Sequence, residues 1–309
     1  MALPPLLRGR LTLPLIVAPM FSISDPGMVV AACNAGAIGC FPTANCRALG
    51  DLGSWLEQIQ GGLKVGAAPF AANLIMASPR LADDLKTLIL HRTEFVITSV
   101  GSPGPVIGPL HDAGCKVLAD VATVHHARKA AQAGVDGLIL LSAGAGGQTG
   151  WANGFAFVRA VREFYDGIVV LAGGLSDGVA LRAAEVLGCD LGYMGTPFIA
   201  TSESPVSASY KAMLIESELD DVLLTTAFTG LQSNMLRPSI VKAGLDPNAM
   251  PEYAGEMKAA PLFEGRSEES LPRRWTDIWS AGHSVSGIHG TVSIAERIAE
   301  IRMQYQSAV

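Results

Sequence analysis

The chain has 309 residues, 49% of them hydrophobic and only 16% charged, a balance that excludes intrinsic disorder and supplies enough apolar surface for one large core or two ordinary ones. Its formal net charge of −6, with no cluster of Lys or Arg, argues against a nucleic-acid partner. The five cysteines (Cys33, Cys40, Cys46, Cys115, Cys189) are an odd set without a CxxC pair and read as reduced thiols of a cytoplasmic protein, not as a disulfide frame or zinc site.

Mean hydropathy is positive, yet no uncharged apolar run approaches bilayer length, so no membrane partner is expected. Leu11–Phe21 has the apolarity of a signal-peptide core, but Pro14 and Pro19 interrupt it and no small-residue cleavage site follows; it reads as a buried first strand. From there, short Val/Ile/Leu runs alternate with longer amphipathic segments. Leu13–Ala18 precedes a helix over Asp25–Asn34, Ala37–Phe41 precedes Asp51–Gln60, and Leu63–Ala67 precedes Pro79–His91. Phe95–Ser99 leads to Pro105–Asp112, Lys116–Ala119 to Val124–Ala133, and Gly137–Leu141 to a glycine-rich loop and Phe155–Tyr165. Ile168–Ala172 leads to Asp177–Leu187, and Asp190–Met194 is the last run. Asp51 and Asp177 stand where helix N-caps are needed, and Gly114, Gly134 and Gly188 where helices end. Eight continuous apolar runs, each fit for burial on both faces and separated by helices, predict a parallel sheet and a (β/α)8 TIM barrel. A doubly wound open sheet is the alternative, because alternation alone does not prove closure.

The rhythm breaks after about residue 200. Thr201–Ser280 contains Tyr210–Leu219, a polar stretch over Asp246–Glu269, and Trp275 and Trp279. The expected organisation is a barrel core over 1–200, a helical insertion or lid over the barrel mouth at 201–280, and, over 281–309, a covering turn with a C-terminal helix (Ser293–Gln306) packed on the barrel.

In such barrels the active site lies on the loops after the strands, with a phosphate site commonly after the seventh and eighth. The seventh run ends in Leu171-Ala172-Gly173-Gly174 and the eighth in Tyr193-Met194-Gly195-Thr196. Glycine lets backbone N–H groups approach phosphate oxygens, and Thr196 adds a hydroxyl donor. The plainer reading of Gly173-Gly174 is a tight turn. After the sixth run comes Ser142-Ala143-Gly144-Ala145-Gly146-Gly147-Gln148-Thr149-Gly150-Trp151, which is neither a GxGxxG fingerprint nor a P-loop. It reads either as a flexible turn or as bare backbone passing close to a flat ligand. Met20, Phe70 and Trp151 are candidate pocket residues, and Asp120, at a strand end, either faces the site or caps a helix. His91, His111, His125, His126 and His289 have no metal-site spacing.

Ala18-Pro19-Met20, Val65-Gly66 with Asn73, the loop Ala145–Gly150, Gly173-Gly174, Met194-Gly195-Thr196-Pro197-Phe198 and Ile278-Trp279-Ser280-Ala281-Gly282 together resemble the nitronate monooxygenase (2-nitropropane dioxygenase-like) family of FMN barrels, in order and over nearly the whole chain. The resemblance implies that Pro19 and Met20 lie beside the isoalloxazine and that Asn73 hydrogen-bonds it. It also implies that Gly146 and Gly147 edge the cofactor, and that the strand ends holding Gly173, Gly174, Tyr193, Met194, Gly195 and Thr196 bind its phosphate region. The Ser280-Ala281-Gly282 turn would cover the flavin. One position departs from the pattern: family members carry Gly-Gly-His in the loop where this chain has Gln148, whose amide orients an oxyanion but accepts no proton. His283 follows the covering turn where family members often carry glutamine, so Gln148 and His283 look like an exchange of residue types across one cofactor. The resemblance implies FMN-dependent oxidation of alkyl nitronates by O2, with a small-molecule substrate. An NAD(P)H-dependent reductase of quinones or enoyl thioesters is the alternative, and a non-redox phosphate-binding isomerase is the alternative of another class.

Overall fold

The computed structural model describes residues 7–48, 50–250 and 276–308. Strands β1 (Leu15–Val17), β2 (Ile38–Pro42), β3 (Phe70–Ile75), β4 (Phe95–Ser99), β5 (Lys116–Val121), β6 (Gly137–Leu141), β8 (Ile168–Ala172) and β9 (Leu191–Met194) close a parallel barrel in that order, and β9 pairs back onto β1 at Ile16↔Tyr193. The short β7 (Gly147–Gln148) lies outside it, in the glycine-rich loop. Closure settles the choice between a barrel and an open sheet.

The barrel strands are buried on both faces, which is why they read as continuous apolar runs. One set of side chains, including Ile16, Ile38, Phe95, Ile97, Leu118, Ile139, Val170 and Leu191, fills the interior, and Leu7 joins it from the N-terminal segment. The opposite set packs against helices α1 (Pro26–Asn34), α2 (Asp51–Gly62), α3 (Leu81–Leu90), α4 (Gly104–Asp112), α5 (Val124–Ala133), α6 (Gly154–Arg162) and α7 (Gly178–Leu187). Local chemistry marks these helices: the Asp177 carboxylate accepts from the Ala180 N–H at 2.8 Å, while Gly134 and Gly188 end their helices with φ of 93° and 111°. Asp51 is not a cap. It is the first helical residue, behind Gly50 at φ 94°, and its carboxylate reaches back to the Ala48 N–H at 2.7 Å.

The third strand is also corrected. Leu63–Ala67 forms a turn, with Val65 fully exposed and Gly66 at φ 80°, and the strand begins only after Pro69. The true strand, Phe-Ala-Ala-Asn-Leu-Ile, hides behind two alanines and a polar residue, so its apolar signal is weaker than that of the turn before it. Asn73 consequently lies within β3, not after it.

Beyond β9 come α8 (Thr196–Ile199), α9 (Ala208–Glu216), β10 (Val222–Thr225), β11 (Ser233–Leu236), α10 (Arg237–Lys242) and α11 (Ile294–Ser307). The segment is mixed rather than all helical, because β10, β11 and β7 form a small antiparallel sheet. Trp275 and the part of the polar stretch from residue 251 onward lie outside the described residues. No helix among the described residues is long and apolar enough to cross a membrane.

Candidate active site

At the C-terminal ends of the barrel strands lies a cavity of about 240 Å³. Its floor is the top layer of inward side chains, one from each of six strands: Asn73 (β3), Ser99 (β4), Asp120 (β5), Leu141 (β6), Ala172 (β8) and Tyr193 (β9). Beneath it the apolar plug of Ile97, Leu118, Ile139 and Val170 closes the barrel. One wall is the Ala18-Pro19-Met20 turn, held by the Ala18 N–H to the Met194 carbonyl (2.9 Å) and by the Asn45 amide donating to the Met20 carbonyl (3.1 Å). The wall beside it, continuing from the end of β9 to the end of β8, is made by Thr196, Gly195, Gly174 and Gly173.

The roof is assembled from three distant stretches. The Ser280 hydroxyl accepts from the Gly147 N–H (2.6 Å) and donates to the Asn234 carbonyl (2.8 Å), while the Asn234 amide donates to the Ala145 carbonyl (2.7 Å). The Tyr210 hydroxyl donates to the Ser280 carbonyl (2.5 Å), and its ring stacks on Trp279 with centroids 4.8 Å apart. The Gly282 N–H donates to the Thr196 Oγ1 (2.8 Å), joining roof to wall. These contacts explain the glycines of the loop. A Cβ on Gly146 would lie 2.8 Å from the Gly282 nitrogen, and one on Gly282 would lie 2.5 Å from the Gly144 oxygen. Two bare backbones meet there, so those glycines serve contact between chain segments as well as the cavity. Gly174 differs: it has φ 71°, and a Cβ there would meet nothing within 4 Å.

Every residue expected to bind a cofactor (Pro19, Met20, Asn73, Gly146, Gly147, Gly173, Gly174, Tyr193, Met194, Gly195, Thr196) lines this one cavity, as does Gln148. His283 does not. It is exposed, its backbone N–H donates to the Gly144 carbonyl (2.9 Å), and its imidazole lies so close to Gly144 that a Cβ there would sit 2.6 Å from Nδ1. The geometry therefore gives no support to a Gln148–His283 exchange across the cavity. Of the other candidates, Met20 lines the cavity, Phe70 is buried against the helices, and Trp151 is 72% exposed.

Sequence reasoning left Asp120 undecided and missed Ser99, Val100 and Tyr210. Asp120 is not a helix cap: Thr123 caps α5, its hydroxyl accepting from the His126 N–H at 3.0 Å. Asp120 instead faces the cavity, and burial pushes its carboxyl up to about 7. Burial likewise holds Tyr193 well above its ordinary value, with Asp120 adding to the shift. Asn73 and Ser99 pair with each other, Asn73 Nδ2 to Ser99 Oγ at 3.1 Å. Val100, with φ 55°, is a β-branched residue in the left-handed region at the cavity edge, the kind of strain that concentrates at functional sites. Among the described residues that line the cavity there is no Lys, Arg or His.

A model of the nitronate monooxygenase family matches residues 85–269. A nitronate monooxygenase of Paraburkholderia phytofirmans is 28% identical over 285 residues, covering 78% of this chain and 78% of that protein. A (3aS,4S,5R,7aS)-5-hydroxy-7a-methyl-1-oxo-octahydro-1H-indene-4-carboxyl-CoA dehydrogenase of Mycobacterium tuberculosis is 26% identical over 258 residues, covering 82% of this chain and 72% of that protein. Among solved structures, FabK from Thermotoga maritima superposes with a TM-score of 0.79 at 26% identity, covering 96% of this chain and 94% of that one. With the match spanning more than half of its length and the expected residues gathered at the mouth of a closed barrel, the chain belongs to the nitronate monooxygenase family and is a flavin-dependent oxidoreductase acting on a small-molecule substrate.

Proposed function

We propose that the cavity holds FMN and that the enzyme oxidises alkyl nitronates with O2, giving a carbonyl compound and nitrite. The residues present fit the cofactor. Gly174 leaves open space where any side chain would intrude, and the Thr196 Oγ1, having accepted from the Gly282 N–H, keeps its own hydrogen for a phosphate oxygen. With no cation among the described lining residues, the phosphate would be held by backbone N–H groups of Gly174 and Gly195 and by the Thr196 hydroxyl. A single phosphate wall, with no second glycine fingerprint in the chain, favours FMN over FAD.

When bound, the flavin supplies the redox chemistry, accepting electrons from the substrate and passing them to oxygen. The chain's own residues bind and orient. The observation that carries the nitronate reading is Gln148, which lines the cavity from β7 and is held there by pairing with Ser233 of β11. Its amide can donate to a nitronate oxygen but cannot remove a proton from carbon, and a nitronate has already lost that proton. The roof of Ser280, Tyr210 and Trp279 lines the cavity and would shield a bound flavin from water. A cytoplasmic setting belongs to the same proposal, supported by five buried free cysteines whose thiols burial keeps protonated.

A second reading, NAD(P)H-dependent reduction of quinones or enoyl thioesters, is favoured by the similarity to the CoA dehydrogenase. Family membership removes the third, a non-redox isomerase. Anaerobic titration of the yellow protein separates the first two. Bleaching of the flavin band by a nitronate but not by NADH or NADPH is expected. Bleaching by a pyridine nucleotide alone would overturn the nitronate reading, and FAD released on denaturation would overturn the FMN assignment.

A further inference from the structure

Asp120 is an unusual residue for the floor of this cavity. It is the only carboxyl among the described lining residues, and no Lys, Arg or His faces it there. Its neighbours on the barrel interior are uncharged: Asn73 and Ser99 are paired with each other, Leu141 is apolar, and the titratable Cys40 of β2 and Tyr193 of β9 are both held protonated by burial. Its two oxygens differ. Oδ1 is sealed from solvent and has no hydrogen-bond partner, and since the residue lines the cavity, Oδ2 is the oxygen left to meet a ligand there. An ionised carboxylate needs partners on both oxygens, and leaving one bare in an apolar setting is costly. The neutral acid resolves this, with Oδ1 as its weakly polar carbonyl and the hydroxyl on Oδ2.

We propose that Asp120 is a positioning residue for the flavin: it stays protonated in the loaded enzyme and donates the Oδ2 hydrogen to an acceptor atom of the flavin ring, so that its ionisation weakens cofactor binding. The inference rests on the flavin reading of the cavity. It predicts a sign. An ionised Asp120 accepting from a ring N–H would tighten binding as pH rises, whereas the neutral donor loosens it.

The test is equilibrium binding of FMN to apoprotein, followed by quenching of flavin fluorescence between pH 6.5 and 8.5, for the wild type, Asp120→Asn and Asp120→Leu. The wild-type dissociation constant is expected to rise at least tenfold across that range. Asp120→Asn, whose amide still donates, should show no such rise and at pH 8.5 should bind at least tenfold more tightly than the wild type at the same pH. Asp120→Leu should bind weakly at every pH. The phosphate's own titration near pH 6 affects all three proteins alike and cancels in the comparison. A wild-type profile parallel to that of Asp120→Asn, or tighter wild-type binding at high pH, overturns the proposal while leaving the flavin site standing. Absence of FMN binding by the wild type at any pH overturns both.

Discussion

The floor and the roof of the cavity are built on opposite principles. Floor positions follow from the barrel: Asn73, Ser99, Asp120 and Tyr193 stand at or near the C-terminal ends of β3, β4, β5 and β9, where all four line the cavity. Roof positions follow from no repeat. Ala145, Asn234, Tyr210 and Ser280 meet only because the chain after β9 folds back across the mouth and hydrogen-bonds the loop before β7. The glycines divide in the same way, since Gly146 and Gly282 press on each other's backbone while Gly174 borders open space. A rigid scaffold thus sets the floor, and a set of specific polar contacts sets the roof.

That contrast is broken most severely at Gly282. A Cβ there would lie 2.5 Å from the Gly144 oxygen and 2.8 Å from the Gly146 nitrogen, both backbone atoms that cannot swing aside. Gly282→Ala is expected to lift the roof, at a cost of about 3 kcal/mol or more, and to lower the flavin-to-protein ratio after gel filtration. A melt and a flavin content like those of the wild type would show the roof to be far more yielding than its hydrogen bonds suggest.

On the floor, the largest effect is pH-dependent and belongs to Asp120. Its folded-state carboxyl titrates at about 7, above the value of about 3.9 for an unfolded aspartate. The native state therefore keeps a proton that the unfolded chain has released. This contribution is complete below about pH 4 and is lost as pH rises toward 7, by roughly 1.4 kcal/mol per unit. In urea melts of apoprotein, Asp120→Asn should gain about 3 kcal/mol on the wild type between pH 5 and 8. Taking the difference between the two proteins removes the opposite trend from carboxylates such as Asp136, which its Lys116, Val117 and His111 partners hold low. A constant difference would mean that Asp120 is solvated as freely as a surface aspartate.

The same division governs what could be read from sequence. Seven of the eight buried strands and the strand-end glycines announce themselves as apolar runs broken by Gly173-Gly174 and Gly195, because each signal is local. The third strand escaped since Ala71, Ala72 and Asn73 dilute it, and Leu63-Lys64-Val65 looked more like a strand. Asp120 remained ambiguous because a carboxylate at a strand end is also a common helix cap, and only the three-dimensional path shows Thr123 in that role. Asn234 and Tyr210 carried no legible signal: their purpose depends on partners 89 and 70 residues away. His283 misled in the reverse direction, since adjacency to a covering turn says nothing about which side the ring takes.

A smaller test of the roof is Tyr210→Phe. The ring would keep its stack on Trp279, so only the hydroxyl is lost, but that hydroxyl both donates to the Ser280 carbonyl and accepts from the Ser280 N–H at 3.1 Å. Both backbone groups are buried and would be left without this partner, for a cost of about 2 kcal/mol. The flavin should stay bound while its release at elevated temperature speeds up. If Tyr210→Phe melts with the wild type, water has taken the hydroxyl's place and the roof is wetter than its packing implies.

The smallest effect on the fold should come from Gly195, and for that reason it separates a glycine kept for the chain from one kept for a ligand. Its φ of −110° suits any residue, and a Cβ there would make only ordinary contacts, 3.4 Å to the Met20 sulfur and 3.5 Å to the Ala18 Cβ. Gly195→Ala apoprotein should therefore match the wild type to within about 1 kcal/mol, because nothing in the protein opposes the methyl group. Flavin affinity should not be spared in the same way. If the Gly195 backbone touches the phosphate, even a methyl group holds it off, and Gly195→Asp adds a like charge beside a dianion, worth several kcal/mol at reduced dielectric. The expected pattern is a progressive loss of FMN affinity from Gly to Ala to Asp on an unchanged apoprotein melt. Equal FMN affinity in all three proteins would move the phosphate away from the end of β9, and a destabilised Gly195→Ala apoprotein would return this glycine to the same structural class as Gly282.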